Sequence, residues 1–149
     1  MKTEAFQDLL LKSAVSVIAC DGTIDETEIS ELRNMVENEI YFMGYDFEER
    51  LAYNLKYLKE NGALAINEYL KEVSNANLND NQELLLIEVL IRAIESDKKV
   101  EPSEIKFLQM VKSRLKTSEE TIITKFPQQI NYLIDFHNYG LHEEFTEEL

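Results

Sequence analysis

The side chains best suited to chemistry lie in two short acidic stretches. Asp21, Asp25 and Glu28 stand in Ala19-Cys20-Asp21-Gly22-Thr23-Ile24-Asp25-Glu26-Thr27-Glu28, and Asp97, Glu101 and Glu104 stand in a second stretch 76 positions on (Asp21 to Asp97). Carboxylates spaced in this way suit a hard divalent cation of the calcium or magnesium kind, whose ligands are oxygens. Against the EF-hand calcium loop, Asp21, Gly22 and Glu28 match the second half, including the turn glycine and the closing glutamate. The first two carboxylate positions hold Val17 and Ala19, and the second stretch has Ala93 and Glu95 there, with Lys98 in place of the glycine. A full cage is excluded. What remains is a partial oxygen site from Asp21, Asp25 and Glu28 with its counterpart from Asp97, Glu101 and Glu104, or a plain turn.

The turn reading accounts for the same residues without a ligand. Asp25 with Glu28, and Glu101 with Glu104, have capping-box spacing, Asp21 can bond turn amides, and Ile24 and Val100 can plug the gap between helices. One feature resists it: Asp21 and Asp97 follow apolar helices, whose negative ends disfavour a carboxylate by roughly 0.3–1 kcal/mol. Amides at the start of the next helix, or a cation, would offset that cost.

The elements that hold these corners are helices. From Thr3 to Cys20 the residues Phe6, Leu9, Leu10, Ala14, Val17 and Ile18 recur at three- and four-residue spacing, and Gly22 marks the stop. Ile29, Leu32, Met35, Val36, Ile40 and Met43 form the stripe of a second helix that runs to Gly44. Asp46 with Glu49 repeats the capping signature before a third helix, which ends at Asn61-Gly62. Ala63 to Val73 form a fourth, and the polar link Ser74-Asn75-Ala76-Asn77 follows. A fifth helix, capped by Asn79 or Asp80, is apolar nearly all round and is expected at the centre. Pro102 opens a sixth with Glu101 as its cap. Thr117 or Ser118 opens a seventh that breaks at Pro127, and an eighth runs from Ile130 to Gly140. No stretch alternates as a strand does. The expected fold is all-α: one domain over residues 1–149, seven or eight helices, and a pseudo-two-fold repeat of halves at about 1–76 and 77–149.

Charge bounds the partners. Fifteen basic against 29 acidic side chains give a net charge of −14, which repels phosphate backbones and anionic headgroups. Nucleic acid and direct membrane insertion are therefore not expected, and no apolar run nears the ~20 residues of a spanning helix. Cations and basic protein surfaces are the partners such a field favours. The single Cys20 cannot form an internal disulfide, and the acidic start is unlike a secretory signal, so a cytoplasmic setting is expected.

The corner motif resembles that of the TerB-like tellurite-resistance proteins, in which an apolar helix runs into Asp-Gly-x-Ile/Val-x-x-x-Glu twice per domain. Asp21, Gly22, Ile24 and Glu28 match the first copy, and Asp97, Val100 and Glu104 the second. The following stripes align as Ile29 with Ile105, Leu32 with Leu108 and Met35 with Val111. The resemblance implies an all-helical, pseudo-two-fold, bacterial cytoplasmic protein of stress response, with a divalent-metal or protein-interaction role for its corners. Related domains occur fused to co-chaperones, which implies protein partners. Lys98 and Lys99 depart from the motif and can neutralise Asp97 without a metal.

Other reactive groups support no enzyme. Cys20 abuts an apolar helix and is expected to be buried and inert. His137 and His142, the two histidines, stand among acids near the end of the chain and read as solvated surface. There is no Gly-rich phosphate loop and no convergent nucleophile, base and acid set. Tyr41, Tyr45, Tyr53, Tyr57 and Tyr69 are expected to rim the core, and Met43 is the kind of side chain that lines a protein-binding groove.

Overall fold

The structure, a computed structural model, describes residues 3–20, 24–96 and 99–134. At its centre α1 (Thr3–Ala19) lies along α5 (Asp80–Ile94), the most extensive helix pair in the fold. Leu9, Leu10, Val15 and Val17 on α1, and Leu86, Ile87, Val89 and Leu90 on α5, are completely buried. Neither helix has a solvent face of ordinary width, because α1 also meets α3 (Phe47–Asn61), α4 (Ala63–Asn75) and α6 (Pro102–Lys112), while α5 also meets α2 (Glu26–Asn38) and α6. The central place expected for α5 is thus shared with α1, whose small residues Ser13, Ala14 and Ser16 let neighbours approach while still being buried. The C-terminal part comprises α7 (Glu119–Lys125), a 3-10 turn Pro127–Gln129 and α8 (Ile130–Leu133), and α8 packs on α6. Among the described residues there is no strand, and the fold is all-α. The expected continuation of the eighth helix to Gly140, and the tail with His137 and His142, lie outside the described residues.

Local signals explain most of the boundaries. Asn79 rather than Asp80 caps α5: its Oδ1 accepts from Gln82 N at 2.8 Å, and Gln82 Oε1 accepts from Asn79 N at 3.0 Å. Ser118 rather than Thr117 caps α7 by accepting from Thr121 N at 3.2 Å. Gly62 joins α3 to α4 at φ +51, a left-handed conformation that a Cβ would strain.

Two expected features change. The second helix stops at Asn38 rather than running to Gly44, because Glu39 turns extended (φ −96, ψ 135) and a 3-10 turn, Ile40–Phe42, follows. At α3, Asp46 is the N-cap but its side chain accepts no capping hydrogen bond. The chain arrives there from the Met43-Gly44 turn, with Gly44 at φ +75, and Asp46 takes ψ 84 rather than the extended value seen at Asp25 and Asn79.

A shift of 76 positions relates residues in the two parts of the chain. It carries Glu26, the first residue of α2, onto Pro102, the first of α6. It also carries Leu10, Ile18, Leu32 and Met35 onto Leu86, Ile94, Leu108 and Val111, all of them buried.

Candidate functional site

At the first corner Asp25 is extended (φ −105, ψ 168) and caps α2. Its Oδ1 accepts from Glu28 N at 2.9 Å, and Glu28 Oε1 accepts from Asp25 N at 3.1 Å, a reciprocal capping box with Glu28 only 6% exposed. At the second corner Glu104, 2% exposed, accepts from Glu101 N at 2.9 Å through Oε1, while Lys99 Nζ lies 3.4 Å from Glu101 Oε1. Pro102 at the first helical position lacks only an N–H that would have no partner within the helix. Asp21 and Asp97, the remaining two residues of the candidate set, lie outside the described residues.

Among the described residues the corners therefore bring Asp25 to Glu28 and Glu101 to Glu104, two carboxylates apiece. Calcium takes about 6–8 oxygens, and among the described residues no group of three or more His, Cys, Asp or Glu is placed to hold a metal ion. Of the two apolar plugs, Val100 is half-buried against the core, whereas Ile24 is 36% exposed. Cys20 is buried.

A second set of polar contacts, which sequence patterns did not single out, holds the segment after each corner's helix. Gln7, buried near the start of α1, donates from Nε2 to Tyr41 O at 3.0 Å and Met43 O at 3.1 Å. Glu83, buried near the start of α5, accepts from Lys116 N at 3.0 Å, Thr117 N at 2.8 Å and Thr117 Oγ1 at 2.6 Å. Gln7 and Glu83 are 76 positions apart, as are Tyr41 and Thr117. The available signal was a polar residue near the start of each apolar helix at the common offset.

In the first half this pin helps to build a groove of about 630 Å³ between the end of α2 and the start of α3. Phe42 points into the core at 2% exposure, whereas Ile40 and Met43 stand out at 78% and 71%. From the far side Arg92 of α5 reaches Glu39 at 2.6 Å, Glu31 at 3.6 Å and Tyr41 Oη at 3.3 Å. Tyr45 donates from its hydroxyl to Asp8 at 2.7 Å.

The tyrosines divide. Tyr69 is a core residue, Tyr41 and Tyr45 pack half-buried against the core, and Tyr53 is exposed and stacks on Tyr57. Burial, opposed by Arg92 and reinforced by Glu39 and Glu88, pushes Tyr41 up to about 12. Burial, reinforced by the hydrogen bond to Asp8, pushes Tyr45 up as well, and burial raises Tyr69. The neutral hydroxyl is the form that the fold favours. Its contribution is fully present below the ordinary value of 10.0 and is lost as pH rises through the folded value. Urea unfolding should therefore show stability falling between pH 10 and 12, less steeply in Tyr41→Phe; an unchanged slope in that variant would contradict the assignment.

No helix among the described residues is long and apolar enough to cross a membrane. A search of curated proteins and one of solved structures each returned no match. Residues 7–125 match the family model described as Tellurite resistance protein TerB, a span that contains both acidic corners, both buried pins and, among the described residues, seven of eight α-helices in whole or in large part. With that match over most of its length, the chain belongs to the TerB tellurite-resistance family.

Proposed function

We propose that this TerB-family chain is a helical protein-binding module of a bacterial cytoplasmic stress response, built from two related halves, and that its acidic corners are structural brackets. The observation that supports this reading is the use of the candidate ligands themselves: in both halves the glutamate that would close a cation site bonds the backbone N–H of its own helix cap. A cap of this kind stabilises a helix start by about 1 kcal/mol. With the corners occupied in that way, and with no convergent catalytic set in the sequence, the outward surface is what remains to act on other molecules.

A second reading is a weak divalent-cation site of the calcium or magnesium kind, whose oxygen ligands would include the carboxylates of Asp25 and Glu28 and of Glu101 and Glu104. Calorimetric titration separates the two. Chelator-stripped protein would be titrated with calcium, magnesium, manganese and zinc, alongside the variants Asp25→Asn, Glu28→Gln and Glu104→Gln. The bracket reading expects no saturable heat with any ion, little change of stability in these amide variants, which keep a capping oxygen as Asn79 and Gln82 do, and a loss of roughly 0.5–2 kcal/mol in Asp25→Ala. Saturable binding that disappears in Glu28→Gln would overturn it and establish the corner as a metal site.

A further inference from the structure

We infer that the groove between α2 and α3 is a docking site for an amphipathic helix of another protein, one that presents apolar side chains flanked by lysine or arginine. The inference rests on the reading of the chain as a binding module and names the surface and the partner.

The apolar part of the site is Ile40 and Met43. Met43 N donates to Ile40 O at 3.0 Å, so the two residues are one 3-10 turn apart, and side chains at that spacing eclipse on a single face. Phe42, on the other side of the turn, enters the core and leaves the pair directed outward. The fold does not demand apolar residues here. At the positions 76 further on, the corresponding segment, pinned by Glu83, carries Lys116 and Glu119, and Glu119 meets Lys112 at 3.0 Å. One half thus has a charged turn where the other exposes two large apolar side chains.

The turn is also held in place. Gln7 fixes the carbonyls of Tyr41 and Met43, Arg92 holds Glu39, and Phe42 packs between Tyr41 and Tyr45 with ring centroids at 5.3 and 5.5 Å. A shelf anchored to α1 and α5 loses little conformational freedom when a partner settles on it, which favours binding.

Charge selects the occupant. Among the described residues the groove is lined by four carboxylates, Glu37, Glu39, Asp46 and Glu48, and by one cation, Arg33. Arg33 bridges to Glu48 at 2.8 Å and lies over the Phe47 ring at 5.7 Å, and Glu39 is held by Arg92. Glu37 and Asp46 have no ion-pair partner among the described residues, and the α3 cap makes no use of the Asp46 side chain. Lysine or arginine beside an apolar anchor would meet these rim carboxylates while the anchor covers Ile40 and Met43. A second copy of the chain would bring the same acidic rim and a net charge of −14, and the chain's own segment 141–149, with four glutamates, is repelled in the same way.

The test uses the full chain and a fluorescein-labelled leucine-lysine helix about four turns long, with a leucine-glutamate counterpart as control. Anisotropy should give saturable binding to the lysine peptide alone. Affinity should fall about tenfold or more in Ile40→Ser/Met43→Ser, in line with the loss of two apolar contacts, and several-fold in Glu37→Gln/Asp46→Asn. Amide shifts on binding should fall within residues 36–48. Equal affinity for the Ile40→Ser/Met43→Ser variant would overturn the site, as would equal binding of the acidic peptide. Sedimentation showing a dimer that the same double substitution dissociates would replace the partner helix by a second copy and overturn the proposal. Shifts confined to another face, such as that around Tyr53, would overturn the groove while leaving the module reading intact. That reading answers separately to the cation titration of the corners.

Discussion

Glu83→Ala should cost about 3 kcal/mol of folding stability, far more than an ordinary surface substitution. Glu83 is 3% exposed, and its carboxylate accepts two backbone N–H groups and one hydroxyl from the Lys116-Thr117 segment. Charge-assisted bonds of this kind are roughly twice as strong as neutral ones, and alanine would leave the Lys116 and Thr117 donors without an acceptor. Glu83→Gln keeps one oxygen and should recover about half of the loss. The corresponding Gln7→Ala removes one neutral amide donor shared by two carbonyls rather than a charged acceptor, and should cost about 1 kcal/mol. Urea unfolding of the three variants gives the comparison. If Glu83→Ala and Gln7→Ala proved equally mild, the carboxylate would not be the pin that the distances indicate.

Phe107→Ala should be more damaging still, at about 3–5 kcal/mol. Phe107 is completely buried on α6 and stacks on Tyr69 of α4, with ring centroids 5.7 Å apart and planes 13° from parallel. Tyr69 in turn shares a 2.5 Å hydrogen bond with Ser13 of α1, so three helices meet at this point. Alanine would remove the ring and leave a cavity lined by side chains that can only partly collapse, and the loss of dispersion contacts adds to the lost transfer energy. Phe107→Leu, which refills much of that volume, should cost about 1.5 kcal/mol or less. Ile40→Ser, at an apolar side chain of similar size but 78% exposed, should change stability by no more than about 0.5 kcal/mol. Thermal and urea unfolding of the set would show whether burial orders the effects; equal losses in Phe107→Ala and Ile40→Ser would refute it.

The sequence by itself determined the all-α class, most of the helix starts and the family. Helix starts are local: the bond between Asp25 and Glu28 closes over three residues, so type and spacing alone announce it, and at α5 they narrow the cap to Asn79 or Asp80, of which the fold uses Asn79. The apolar stripes at a helical period, repeated at an offset of 76, are equally local, and they gave Leu32 with Leu108 and Met35 with Val111 as buried equivalents. Tertiary structure alone decided what happens where distant segments compete for the same groups. Ile40 and Met43 continue the stripe of α2, yet the chain leaves the helix at Asn38, because Gln7 takes the Tyr41 and Met43 carbonyls from 36 residues or so away in sequence and Arg92 holds Glu39 from α5. Periodicity assigned those two side chains to the core, and long-range hydrogen bonds turned them to solvent. For the same reason Asp46 and Glu49 have the spacing of a capping box without its side-chain cap bond: the preceding turn, fixed from α1, sets the direction from which the chain enters α3. A local pattern specifies what a segment can form in isolation, and the bonds that bind it to α1 and α5 decide which of those options the folded chain adopts.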